Sequence, residues 1–121
     1  MSLGRLSSAA LMLSGLAGVV TPAKVAAALE VPAGSGRALA ETRAGLGGTY
    51  AALGGWAFFS RQPVAHAAVG VTWLGAAAAR LGSLVVDRPE TDAAFWGYLA
   101  AELAFGAAAL ASATNHSASG R

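Results

Sequence analysis

The sequence predicts an all-α membrane protein, a four-transmembrane-helix bundle with a short interfacial helix in the first connection. Three observations predict it. Charged residues make up only 12% of the chain against 55% hydrophobic, about half the charge of a soluble domain. Segments 44–60 and 62–79 contain no Asp, Glu, Lys or Arg. Four apolar stretches approach the roughly 20 residues needed to cross a hydrocarbon core of about 30 Å. A soluble bundle, the rival reading for an Ala-rich chain, keeps a charged outer face on every helix. A chain of 121 residues has too much surface for its volume to hide such segments on all sides. The length suits one integral membrane domain, 1–121.

The first span covers about 3–20 and ends at Thr21-Pro22. Arg5 followed by an apolar run and Thr21-Pro22-Ala23 also has the layout of a signal peptide, with a poor cleavage site; a true span is the reading taken. The connection 22–42 is the longest. Within it 23–29 reads as a short helix lying at the membrane interface, and Pro32-Ala33-Gly34-Ser35-Gly36 breaks it. The second span covers about 43–60, ended by Arg61-Gln62-Pro63, a turn tight enough to make it the antiparallel neighbour of the third, about 64–86. Asp87-Arg88-Pro89 closes the third span. Thr91 or Asp92 caps the fourth, about 93–113, and 114–121 follows as a polar tail. Each proline falls in a connection, where its missing N–H does no harm.

An even number of spans puts both termini on one side, with Arg5, Arg61 and Arg121. Lys24, Arg37 and Arg88 lie on the other, with Arg43 and Arg80 near helix ends. Counting Lys and Arg alone slightly favours the long-connection side as cytoplasmic; with Arg43 and Arg80 discounted as turned into the bundle each side carries three, and the reading taken is cytoplasmic termini. The Ala and Gly load suggests a bacterial inner membrane protein.

Between helices in lipid, close backbone approach and polar contacts replace the hydrophobic drive. Small residues four apart supply such faces: Ala10, Ser14 and Gly18 in the first span, Gly75, Ala79 and Ser83 in the third, Gly97 and Ala101 in the fourth. The face of Gly47, Ala51 and Gly55, widened by Gly48 and Ala52, is the strongest, because its glycines cost helix propensity. Trp56, Phe58, Phe59, Trp96 and Tyr98 fall near span ends, as interfacial aromatics do. Trp73 falls mid-span, as packing or lipid-facing bulk whose indole N–H needs an acceptor.

An ionisable group inside a bilayer is costly, so these are the residues to read for function. Glu102 stands mid-way along the fourth span and Arg80 on the third, toward the long-connection side. Glu41 and Arg43 stand at the mouth of the second on that side. The planar fork of Arg suits a carboxylate, so the spacing predicts an Arg80–Glu102 pair with Glu41 and Arg43 adjoining. Such a pair fixes helix register, or binds a polar or anionic ligand, or moves a proton.

Other chemistry finds little support. There are no cysteines, and His66 and His116 have no second ligand at metal spacing. Gly34-Ser35-Gly36 has no Lys-Ser/Thr behind it to cradle a phosphate. No Ser or Thr has the His-carboxylate partners of a nucleophile. Asp87, Glu90 and Asp92 read as a solvated acidic turn. The net charge of +2 comes from scattered Lys and Arg rather than a basic stripe, so nucleic acid is not an expected partner. No cofactor and no catalytic residue are expected. The partners expected are the lipid bilayer and other membrane subunits or further copies of the chain.

The run Glu41-Thr42-Arg43-Ala44-Gly45-Leu46-Gly47-Gly48, and Ala79-Arg80-Leu81-Gly82-Ser83, resemble a small bacterial membrane family known as a domain of unknown function, DUF4345. The resemblance covers most of the chain and rests on Glu41, Arg43, Gly47, Gly48, Arg80 and Glu102. It implies four spans, a long first connection with a proline after the first span, and an acidic residue in the fourth. It supplies no activity, substrate or cofactor. The leading functional expectation is therefore a structural or accessory subunit of a membrane complex, not an enzyme. The alternative is a small carrier or ligand-binding bundle built on the Arg80–Glu102 pair.

Overall fold

The computed structural model describes the backbone of residues 2–119 and side chains through Asn115; Arg121 and the His116 side chain lie outside the described residues. The chain is all-α. Its helices are α1 (Leu3–Val20), α2 (Pro22–Ala28), α3 (Gly36–Thr42), α4 (Thr49–Phe59), α5 (Pro63–Val86) and α6 (Ala93–Ser119), with a π-helical segment, Arg43–Gly48, between α3 and α4. The polar tail from residue 114 continues α6 as far as Ser119.

Among the described residues three helices are long and apolar enough to cross a membrane, Leu3–Val20, Pro63–Val86 and Ala93–Asn115. This corrects the expectation of four spans. The stretch 43–60 is not one α-helix of bilayer length, because its first six residues wind as π-helix and only the 11 residues of α4 follow. Those rise about 16 Å, half a hydrocarbon core. The cause is local. Gly45, Gly47 and Gly48 hold the α-conformation weakly. The Thr49 N–H and hydroxyl both donate to the Ala44 carbonyl five residues back, the π rather than the α register. The placement of both termini on one side required an even count of spans, and that premise goes with the fourth span.

The first connection holds two helices rather than one. Pro22 opens α2 at its first turn, where a missing N–H is tolerated. Glu30 then takes the left-handed conformation, with φ of 57°. Ser35 restarts the helix by accepting the Ala38 N–H at 3.0 Å. Arg37 and Glu41 pair one turn apart along α3, both exposed.

The chain divides into two compact units. The first comprises the N-terminal turn through Ser7 and the chain from Gln62 on; the second is Ser8–Arg61. In the second unit α1 meets the following helices at glycines. A Cβ at Gly18 would stand 2.7 Å from the Leu46 carbonyl oxygen, and one at Gly47 would stand 2.7 Å from the Val19 nitrogen. Gly15 meets the Ala51 backbone and Gly54 the Met12 backbone in the same way. In the first unit α5 and α6 form an antiparallel hairpin. Asp87 and Arg88 both turn their N–H groups back to the Ser83 carbonyl to end α5, and Asp92 starts α6 by accepting the Phe95 N–H at 2.9 Å.

Candidate functional site

The α5–α6 seam is built from residues three and four apart. Ala65, Val69, Gly70 and Ala77 of α5 are buried, and so are Leu99, Glu102, Gly106, Ala109 and Ala113 of α6. Gly70 and Gly106 bring the helices together. A Cβ on Gly70 would stand 2.7 Å from Leu110 Cγ, and one on Gly106 would stand 2.7 Å from Leu74 Cγ. At one end of the seam the N-terminal turn joins in. The Ser7 hydroxyl donates to the Phe105 carbonyl at 2.8 Å, and the buried His66 and the half-buried Ser112 close on Gly4. Midway, Trp73 lies on Phe105 with ring centroids 5.4 Å apart, and its indole N–H is buried with no acceptor among the described residues.

Toward the other end Arg80 and Glu102 meet. Arg80 Nε donates to Glu102 Oε1 at 2.8 Å and Nη2 donates to Oε2 at 2.9 Å. This is a two-pronged, charge-assisted fit of guanidinium fork to carboxylate. The Glu102 side chain is 9% exposed and that of Arg80 22%. Phe95 and Tyr98 lie over the guanidinium, 5.2 and 5.5 Å from their ring centroids. Residues 95, 98 and 102 fall on one face of α6, so two rings and a carboxylate hold one cation. Cation–π attraction adds roughly 0.5–2 kcal/mol per ring, more as water is excluded. Arg80 lies six residues before Val86, the end of α5, about 9 Å along the helix. No other Asp, Glu, Lys or Arg occurs in either α5 or α6.

Glu41 and Arg43 belong to the second unit, and their partners there are different ones. Glu41 accepts Arg37 Nε at 2.8 Å, and Arg43 Nη1 donates to the Val19 carbonyl near the end of α1. Of the small residues singled out in 47–55, Gly47 is buried at the α1 contact and the Ala51 backbone faces Gly15. Among the described residues, a Cβ on Gly55 would meet only the Met12 side chain, its sulfur at 3.6 Å, and one on Gly48 only the Arg43 carbonyl oxygen, at 3.9 Å. A Cβ on Gly75 or Gly97 would meet nothing within 4 Å beyond its own helix turn among the described residues. Sequence reasoning missed Gly15, Gly54, Gly70, Gly106 and the Phe95–Tyr98 clamp. A signal for the seam existed: once Arg80 and Glu102 face each other, steps of three and four along each helix lead to Ala77, Trp73 and Gly70, and to Phe105, Gly106 and Ala109.

Asp87 accepts the Ser83 hydroxyl at 2.6 Å, so with Asp92 two of the three acidic residues in the connection are engaged in helix ends. Among the described residues no group of three or more His, Cys, Asp or Glu could hold a metal ion. No curated protein and no solved structure matches the chain. One family model does, a domain of unknown function (DUF4345), over residues 3–112. With so much of its length matched, and with its apolar membrane-length helices, the chain is a small integral membrane protein that belongs to the DUF4345 family.

Proposed function

We propose that this protein is a small ligand-binding or carrier protein of the bacterial inner membrane, and that the Arg80–Glu102 pair is its polar site for a ligand with an anionic or strongly polar head. The observation that carries this reading is the pair itself. It joins two membrane-length helices that hold no other formal charge. A buried ion pair is a poor source of stability, because desolvation offsets most of its attraction and apolar replacements of similar volume do as well. Arg80 also retains some exposure while its carboxylate partner is nearly covered, so the cation is the more accessible of the two groups. An accessory role in a larger complex would draw on exposed apolar helix faces, and lipid covers those equally well.

The reading is tested by melting the detergent-solubilised protein with submicellar dodecanoate or dodecyltrimethylammonium. Dodecanoate should raise the melting temperature of the wild type, since a ligand at a hundredfold excess over its Kd adds about 2.7 kcal/mol. The paired replacement Arg80→Met with Glu102→Leu, which leaves no lone charge behind, should show no such rise. Equal shifts from both amphiphiles, or a persisting shift in the double variant, would sink the reading.

A further inference from the structure

We infer that the ligand is a membrane-soluble carboxylic acid, and that it binds by exchanging with the Glu102 carboxylate on Arg80, handing its proton to Glu102. The inference rests on the proposed ligand site and names its substrate class and its coupling to protons.

Three observations carry it. First, the Nε and Nη2 edge of Arg80 already holds a carboxylate through two bonds of 2.8 and 2.9 Å. A ligand carboxylate can take the place of Glu102 with the same two bonds and no change in the guanidinium. Second, the surroundings are apolar and aromatic, with Phe95 and Tyr98 over the cation and Leu99 and Ala77 buried on the seam. Such walls favour a hydrocarbon tail over a hydrated ion, whose shell they cannot replace. Third, α5 and α6 carry one positive and one negative side chain and no other Asp, Glu, Lys or Arg. An anion arriving alone would leave an uncompensated negative charge at low dielectric, which is strongly unfavourable.

The exchange keeps the site neutral throughout. The acid arrives with its proton. Its O–H bond breaks, the proton forms a new O–H bond on a Glu102 carboxylate oxygen, and the two N–H···O bonds from Arg80 pass to the ligand. The reverse steps release the acid with its proton, so net movement of ligand carries no charge across the membrane.

Among the described residues, the other titratable groups of this unit stand apart from the exchange, except Tyr98, whose ring lies over the guanidinium. His66 precedes Arg80 by 14 residues on α5, about 21 Å along the helix. Arg5 is exposed on the N-terminal turn, and Asp87, Arg88, Glu90 and Asp92 lie in the exposed connection.

The test uses 11-(dansylamino)undecanoic acid, read by energy transfer from tryptophan, on the full chain in zwitterionic nanodiscs. Above the acid's own titration range, wild-type affinity for the anion should fall tenfold per unit rise in pH, the slope of one proton per ligand. A weakly buffered mixture should lose one proton from solution for each anion bound, a readout that needs no variant. Glu102→Gln, a neutral stand-in for the protonated acid, should bind with no pH slope and should exceed the wild type at alkaline pH by at least tenfold. The matching dansyl alkylsulfonate, which brings no proton, should bind Glu102→Gln in preference to the wild type. A pH-independent wild-type affinity that still requires Arg80 would overturn the proton exchange and leave the ligand site standing. Failure of wild type and Glu102→Gln to bind the acid at any pH would overturn the ligand site as well. Binding by the pairless double variant would do the same.

Discussion

At the residue scale, the cost of the Arg80–Glu102 pair decides what each substitution does. Removing one partner strands the other charge in apolar surroundings, and that costs roughly 3–5 kcal/mol in buried pairs. Arg80→Met and Glu102→Leu should each approach that loss, whereas the two together should cost less than either alone. Equilibrium unfolding of the four species in mixed micelles measures the coupling, and additive losses would mean that the pair is broken in the membrane. Arg80→Lys separates charge from shape. An ammonium cannot hold both carboxylate oxygens as a fork does, so the lysine variant should recover part of the stability lost in Arg80→Met and little of its ligand response. The pair was legible in the sequence because a lone Arg and a lone Glu stand out in long apolar runs. The rings on Arg80 were not, because Tyr98 near the start of α6 is equally compatible with an interfacial belt. Glu41 was read as part of the same cluster from its place at the mouth of a presumed span, yet α3 gives it Arg37 one turn away.

At the element scale, glycine positions test how the helices meet. A methyl group on Gly70 or Gly106 would sit within 3 Å of leucine side-chain carbons on the facing helix, so Gly70→Ala and Gly106→Ala should each cost about 1–3 kcal/mol, the usual penalty of overpacking. A methyl group on Gly75 would meet nothing within 4 Å beyond its own helix turn among the described residues, so Gly75→Ala should stabilise by up to about 1 kcal/mol from helix propensity alone. Melting temperatures of the three variants check this, and a loss at Gly75 equal to that at Gly70 would mean the seam is misplaced. Stripes of small residues at four-residue spacing did not distinguish these positions, because a chain with 16 glycines offers many such stripes and only the facing helix selects among them. Helix ends were easier to read. Pro22, Pro63 and Asp92 act where their chemistry requires. The π-helical segment was not legible, since hydropathy registers that 43–60 is apolar and is blind to a shift from four-residue to five-residue hydrogen bonding.

At the scale of the whole molecule, the membrane reading rests on α1, α5 and α6, whose apolar side chains stay largely exposed within the fold. Leu3, Leu13 and Val20 of α1 and Val64, Val71, Val85 and Val86 of α5 are more than half exposed, a surface that water would penalise and lipid accepts. The α5–α6 hairpin makes this testable without assigning the cytoplasmic side. Its two helices are each of membrane length and joined by a short connection, so the start of α5 and the connection around Glu90 must face opposite sides of the bilayer. The chain contains no cysteine, and single replacements therefore report without background. In sealed vesicles of one orientation, a membrane-impermeant maleimide added outside should label only one of Gln62→Cys and Glu90→Cys, and both should react after detergent is added. Tyr98→Cys, beside the pair, should react far more slowly than either from both sides, because lipid and Arg80 cover that turn of α6. Labelling of Gln62→Cys and Glu90→Cys from the same side would show that α5 does not cross, and the buried charge pair would then need an explanation in water rather than in hydrocarbon.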